Sequence, residues 1–388
     1  MIKKTTFLKD VLICSLGAYG GPEAHYGVFT DQMVIKKQYL DEHEMIELIA
    51  LTGILPGPSS TQTIISIGYK VGGPVLALLT MLVWSLPAIL IMTLLSFLYA
   101  FLNRNQIDQD VLRFIGPMAV GFIVLAAYRL SRKVVKDTIT LGLFVLAALV
   151  TYFIRDFYIF PLLLLTGGLA AIYTSKAQDL WHKVTLSPKW RYLIIFLVFA
   201  IGSFILSLLV DHILLYLFDA FYRFGYMVIG GGQVVIPYMY EDLVTTNQFL
   251  TTDQFLTGFG LVQGIPGPMF SFSAYAGGLA SNSNPWTQIA GALIAGIGIF
   301  LPGVLLIFFV YPIWVELREI KGIKIALKGI TAIAAGLILS SGIVLFMKHG
   351  VTWENGLILG VTVLLLLKKI PAPLIVLLMV ILGFLFLL

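Results

Sequence analysis

The sequence predicts an all-α integral membrane protein made of two inverted structural repeats of about six membrane segments each, joined by a linker helix. Three observations carry that reading. Of 388 residues, 59% are hydrophobic and only 12% charged, with a mean hydropathy of +0.96. A soluble domain has about 25% charged residues, so this chain has too few polar groups to cover its own surface, and lipid must be its solvent. A shift of 210 residues aligns the two halves over a long ungapped stretch. At that shift Leu55-Pro56-Gly57-Pro58 returns as Ile265-Pro266-Gly267-Pro268, a helix breaker placed twice in the middle of apolar sequence.

The repeat sets the boundaries. Gly20-Gly21 meets Gly230-Gly231, Gln38 meets Gln248, Leu51 meets Leu261 and Gly68 meets Gly278. A later insertion brings Leu86-Pro87 onto Leu301-Pro302, and Pro161 before an apolar run matches Pro371 and Pro373 before the last one. The chain divides into an N-terminal repeat (1–173), a polar linker with one further apolar run (174–216) and a C-terminal repeat (217–388). A spanning helix needs about 20 residues. On that measure the first repeat has segments near 7–22, 44–72, 74–102, 111–130, 138–154 and 157–173. The second has them near 217–238, 253–281, 286–315, 323–347, 354–368 and 372–388. The Pro-Gly-Pro triplets interrupt 44–72 and 253–281 as broken or re-entrant helices.

Six crossings return a chain to its starting side, so the extra run ending near Leu215 inverts the second repeat. Thirteen crossings place the N-terminus inside and the C-terminus outside. The basic loops around Arg129–Lys136, Lys176–Arg191, Arg318–Lys328 and Lys368-Lys369 then lie inside, as the positive-inside rule asks. Lys36-Lys37 would lie outside, and Glu241, Asp242 and Asp253 inside, against the rule. If the Pro-Gly-Pro segments are re-entrant hairpins, each repeat has five crossings and the linker makes the repeats parallel.

Composition excludes several functions. The net charge of +5 comes mostly from loops between apolar runs, the pattern of cytoplasmic loops and not of a nucleic-acid binder. Lys3, Lys4 and Lys9 precede an apolar run with no A-x-A-like cleavage site, so the N-terminus reads as a retained first membrane segment. Cys14 is the only cysteine, which rules out an intrachain disulfide or a thiolate metal cluster. His43, His182 and His349 are scattered, and no metal or other cofactor is expected. No Gly-x-Ser-x-Gly, His-Glu-x-x-His or Gly-x-Gly-Asp motif marks an intramembrane enzyme. The alternatives are an anion channel, separable from a transporter by flux rate and by lack of proton coupling, a transporter of a different anion and, a weaker one, an intramembrane enzyme.

The breaks carry the chemistry. Proline lacks an N–H and pushes the preceding residue out of the α region. One helix should therefore end near Ile54 and another begin at Pro58, presenting unpaired N–H groups and a partial positive charge. In lipid such groups are tolerated only against protein or a polar cavity, and an anion is the natural occupant. Pro56 and Gly57 shape the break, and Ser59, Ser60, Thr61 and Gln62 add three hydroxyls and an amide, all neutral. The second copy, with Gly267 and Ser271 among Met269, Phe270 and Phe272, is greasier. Gly20, Gly21, Gly230, Gly231 and Gly232 form a second matched pair of breaks that can expose backbone N–H groups, and Gln263 is a candidate gate. Glu23 and His25 are candidates for a coupling proton. Lys70 and Arg223 are candidates for electrostatic attraction of the anion. Matched breaks in duplicated halves point to a site at the repeat interface worked by alternating access.

These residues resemble the chromate ion transporter family in its long, two-repeat form. The resemblance rests on Gly20-Gly21-Pro22-Glu23-Ala24-His25, Leu55-Pro56-Gly57-Pro58 with Gln62, Gly230-Gly231-Gly232 and Gln263-Gly264-Ile265-Pro266-Gly267-Pro268. It covers nearly the whole chain. It implies proton-driven export of chromate across a bacterial or archaeal cytoplasmic membrane, inverted halves, and sulfate as a similar tetrahedral dianion. A homodimer is compatible with it. Two positions depart: Gly53 stands where members often have glutamine, and Glu23 puts an acid in a usually small position.

Overall fold

The structure, a computed structural model, describes residues 3–105, 110–154, 158–175, 177, 180–181, 186–229 and 232–387. It begins with a helical hairpin. α1 (Lys4–Gly17) leads into Gly20 and Gly21, whose φ angles of 82° and 98° turn the chain. α2 (Pro22–Phe29), extended by a π-helix over Thr30–Lys36, then runs back beside α1. Gln32 Nε2 donates to Asp10 Oδ1 at 2.9 Å and Tyr39 OH to Asp10 Oδ2 at 2.6 Å, fastening the two arms.

A second hairpin follows. Asp41 caps α3 (Glu42–Ile54) through a capping box with Glu44. The helix stops at Ile54, where the break was expected, and α4 (Ser59–Arg104) starts at Ser59. Thr52 and Thr63 hydroxyls meet at 2.8 Å near the tip, and Lys70 pairs with Glu44 at the open end, so the arms are antiparallel. α4 itself reverses at Gly72 and Gly73, whose backbone leaves the helical region. Beyond that turn Trp84 Nε1 donates to Thr61 Oγ1 at 3.1 Å, and Gly68 lies so close to Thr80 that a Cβ would sit 2.3 Å from its Oγ1. The long arm 74–104 therefore passes the Pro-Gly-Pro tip and continues to the far end of the bundle. There Arg104 donates to the Asn282 carbonyl at 2.5 Å. α5 (Ile115–Val134), α6 (Thr138–Phe153) and α7 (Ile159–Thr174) complete this half, and α8 (Trp190–Leu209) leads to the next.

The second half repeats the order. α9 (Ile213–Met227) corresponds to α1. A 3₁₀ turn over Gly232–Val235, α10 (Ile236–Tyr240) and a π-helix over Glu241–Thr246 correspond to α2 and its extension. α11 (Thr252–Val262) and α12 (Phe272–Ala280) flank the second Pro-Gly-Pro tip. The long arm is α13 (Pro285–Gly298), α14 (Leu301–Val310) and α15 (Trp314–Leu317). α16 (Lys321–His349), α17 (Trp353–Leu367) and α18 (Ala372–Leu387) close the bundle. Even the irregularities recur: each π-helix is followed by a left-handed glutamine, Gln38 (φ 52°) and Gln248 (φ 53°).

The halves interlock at their tips. The Gly57 N–H donates to the Val228 carbonyl at 2.7 Å, and the Gly267 N–H to the Ala18 carbonyl at 2.8 Å. Donors and acceptors are both related by the 210-residue shift, so the two bonds are one contact made twice. Farther out, the equivalent helices α5 and α16 pack antiparallel, with Gly116 against His349 and Gly342 against Val124.

Thirteen crossings do not fit this course. α1 and α3 have 14 and 13 residues, about 21 and 20 Å at ~1.5 Å per residue, short of a hydrocarbon core of about 30 Å. Each also doubles back. The five-crossing alternative allowed one hairpin per repeat, whereas the glycine pair makes a second. Among the described residues five helices are long and apolar enough to cross a membrane by length and composition: 59–104, 110–134, 190–209, 285–317 and 321–349. Four shorter apolar helices, 138–153, 159–174, 353–367 and 372–386, accompany them. The chain is an all-helical, multi-pass membrane protein.

Gly267 has φ +104°, and a Cβ there would lie 3.0 Å from Ala88 Cβ. Gly267→Ala should destabilise the protein by about 1–3 kcal/mol, read as a lower thermal unfolding midpoint in detergent. Gly142→Ala, in a helix with nothing within 4 Å, should not. Equal midpoints for the two variants would mean that the tip geometry is not required.

Candidate functional site

Four hairpin tips converge where the halves interlock: 18–22 and 56–58 from the first half, and Val228 with Gly232 and 266–268 from the second. The first turn of α4 lies there. Ser60, Thr61 and Gln62 are all buried, at 5%, 1% and 0% exposure, and Ser59 is half-buried. Ser60 Oγ is 2.9 Å from His25 Nδ1. Gln62 Nε2 donates to the Pro56 carbonyl at 2.7 Å and folds over the tip, where a Cβ on Gly57 would come within 2.5 Å of it. That contact and a φ of +130° make glycine necessary between the prolines.

Trp84 organises the cluster, although sequence reasoning passed over it. Its indole packs edge-on against His25 with ring centroids 5.3 Å apart, and its N–H is taken by Thr61. Its carbonyl accepts from Ser15 Oγ at 2.7 Å. Gly267 of the other half rests near Ser15, Ala88 and that same carbonyl. The available signal was a lone indole beside the Leu86-Pro87 landmark, since a buried Trp N–H needs an acceptor.

The site retains unused polar capacity. His25 Nε2 and Gln62 Oε1 in the first half, and Ser271 Oγ in the second, are buried without a hydrogen-bond partner among the described residues. Buried polar groups are nearly always bonded. The helix starts facing the centre are also uncapped: no side chain caps α2 at Gly21, α4 at Pro58 or the 3₁₀ turn at Pro268. At the ends of the bundle α3, α6, α11 and α13 all carry capping boxes. The tips therefore present unpaired N–H groups and positive partial charge to one another.

Other predicted residues lie around this centre or away from it. Gly20 is exposed and Gly21 half-buried. Glu23, on the first turn of α2, is exposed and does not join His25. Gly230 and Gly231 lie outside the described residues. Gly232 packs on Met269 and Phe270, with 2.8 Å to Met269 Cε for an added Cβ. Gln263 is buried, its Nε2 donating to the Phe259 carbonyl at 3.3 Å. Lys70 sits at the open end of its hairpin, where it holds the Glu44 carboxyl below the usual range. Arg223, on α9, donates to Tyr238 OH at 2.8 Å and faces Asp219 at 3.2 Å and Asp242 at 3.4 Å. Its charge is thus engaged by two carboxylates. No group of three or more metal-ligating side chains occurs among the described residues.

The profile of the chromate transporter family matches residues 5–173 and 215–384, one copy per half. A probable chromate transport protein of Synechococcus elongatus is 28% identical over 96% of this chain and 93% of its own length. A chromate transport protein of Cupriavidus metallidurans is 27% identical over 92% of this chain and 87% of its own. One of Pseudomonas aeruginosa is 26% identical over 86% and 77%. No solved structure matches the chain.

The Trp84–Thr61 bond can be weighed by a double-mutant cycle of Trp84→Phe and Thr61→Val on thermal stability. A coupling of about 0.5–1.5 kcal/mol is expected for one buried hydrogen bond. Simple additivity of the two losses would show that the indole does not hold α4 in place.

Proposed function

Since this chain belongs to the chromate transporter family, we propose that it exports chromate, or a related tetrahedral oxyanion such as sulfate, across the cytoplasmic membrane of a bacterium or archaeon by proton-coupled alternating access. The family and the relatives are transporters, and the chain is a transporter, not an enzyme. The observation that carries the proposal is the meeting of uncapped helix starts around His25, Ser60, Thr61 and Gln62.

In this reading the anion replaces the missing caps. Ser59, Ser60 and Thr61 offer hydroxyls and backbone N–H groups, and Gln62 its amide. Backbone at Gly20, Gly21, Gly232 and Gly267 completes the shell, with Ser271 and Gln263 on the gate side. Every one of these donors is neutral, so a dianion is held by dipoles and can leave again. His25, fixed at Nδ1 by Ser60, keeps Nε2 for a proton that offsets substrate charge. The first half holds the anion. The second, with Met269 and Phe270 where the first has Ser59 and Ser60, supplies a wall.

We further propose that the halves are inverted across the membrane with nine through-going helices: four per half, plus α8. Two hairpins per half enter and return, so an even number of crossings precedes α8. The antiparallel packing of α5 on α16 supports this. So does charge. Lys36, Lys37, Lys70, Arg132, Lys133, Lys136, Arg318, Lys321, Lys324, Lys328, Lys368 and Lys369 gather at one end of the bundle. Asp110, Asp211, Asp253 and Glu354 lie at the other. The positive-inside rule then puts the basic end in the cytoplasm, and both loops that broke the rule under thirteen crossings obey it.

Everted membrane vesicles provide the test. A proton gradient should drive chromate uptake that sulfate competes for, and Ser60→Ala with Thr61→Val should weaken substrate affinity at least tenfold, about 1.4 kcal/mol or more. Absence of flux for both anions would sink the assignment, and unchanged affinity in the double variant would remove the hydroxyls from the site.

A further inference from the structure

We propose that Asp219, Arg223 and Asp242 form a proton-binding site in the second half, holding one exchangeable proton between the two carboxylates, and that this site serves the transport cycle. The inference rests on the proton-coupled reading above and adds a second proton position, apart from the one at His25.

Asp219 and Asp242 are 4% and 5% exposed. The same guanidinium nitrogen of Arg223, Nη2, reaches both carboxylates, at 3.2 and 3.4 Å. With every group ionised, this set carries one more negative than positive charge. A buried charge without compensation is costly, and two carboxylates sharing one cation repel each other, so one of them takes up a proton and the two titrate as a pair. Among the described residues, the other groups hydrogen-bonded to the two carboxylates are neutral donors. Tyr216 OH donates to Asp242 Oδ1, Asn247 Nδ2 to the same oxygen at 2.6 Å, and Ser203 Oγ of α8 to Asp219 Oδ1 at 3.2 Å. Tyr238 of α10 meets Arg223 Nη1. Glu241, next in the chain, lines a separate crevice with Thr151, Phe160 and Ser340.

The repeat supplies an independent argument. The position of Asp242 in the first half is Gln32, which fastens the same π-helix to α1 through the bond to Asp10. A neutral amide thus performs the structural task, and the fold does not require an acid there. The positions of Asp219 and Arg223 are Lys9 and Ile13, so the whole charged set belongs to the second half alone. Its location suits coupling. It joins the two arms of the hairpin α9/α10, and α9 ends one residue before Val228, the acceptor of the Gly57 N–H. It also lies toward the end of the bundle opposite the basic loops. A proton arriving there alters the strut that positions the tip.

The test uses the full-length protein in lipid nanodiscs and in proteoliposomes. Infrared difference spectra should show a protonated-carboxyl C=O band in the wild type that disappears as pH is raised. The band should be missing in D242N and in D219N, where Arg223 neutralises the one carboxylate left. D242Q, which copies the first half, guards against misfolding. All three variants should keep chromate-induced thermal stabilisation and gradient-free chromate exchange, and lose at least tenfold of gradient-driven accumulation. A band and accumulation that survive in both D242N and D219N would overturn the proton site while leaving chromate transport standing. A wild type that has the band but moves neither chromate nor sulfate would retire the transport reading and leave the proton site supported.

Discussion

Two hydrogen bonds hold the architecture in register: Gly57 N–H to the Val228 carbonyl, and Gly267 N–H to the Ala18 carbonyl. Each satisfies a carbonyl at a place where a helix has just ended, and each is made by a glycine that proline neighbours force out of helical geometry. In a lipid-embedded protein such loose backbone groups have no water to fall back on. The breaks of one half are stable only because the breaks of the other lie against them. Duplication solves the problem that the helix breakers create, and it also concentrates uncapped helix starts in one place.

The contrast with the ends of the bundle shows why that concentration matters. At the outer ends the sequence caps four helices with Asp41, Asp137, Thr251 and Asn284, while α1, α5, α7, α8 and α16 start there without a side-chain cap. Where helices begin at the tips, it provides glycine and proline, followed in the first half by hydroxyls. Ser60 and Thr61 are held by His25 and Trp84, so their orientation is fixed before any anion arrives. The second half differs in the opposite direction: Met269 and Phe270 close its tip, while its outer arms carry Asp219, Arg223 and Asp242. One half carries the polar pocket and the other the buried set of two carboxylates on one guanidinium.

Much of this was legible in the sequence. The 210-residue repeat, the stop at Ile54, the restart after Pro58 and the inequality of Ser59–Gln62 and Met269–Phe272 all follow from residue chemistry. The hairpins were less accessible. Apolar runs of α1 and α3 look alike whether they cross or return, and only Asp10 against Gln32, or Thr52 against Thr63, shows the return. Trp84 and Ser15 were missed because their roles are made by neighbours far along the chain. Arg223 read as an anion contact because its two carboxylates, four and nineteen residues away, do not advertise themselves as partners in sequence.

The central claim is that the anion occupies the junction of the tips. Anomalous X-ray scattering at the chromium edge, from crystals of the protein grown with chromate, locates it directly. The account predicts a single chromium peak at the first turn of α4, within contact of Ser60, Thr61 and the Nε2 of His25. A peak confined to the basic loops, or to the outer crevice beside Lys348 and Thr252, with none at the tips, would contradict it.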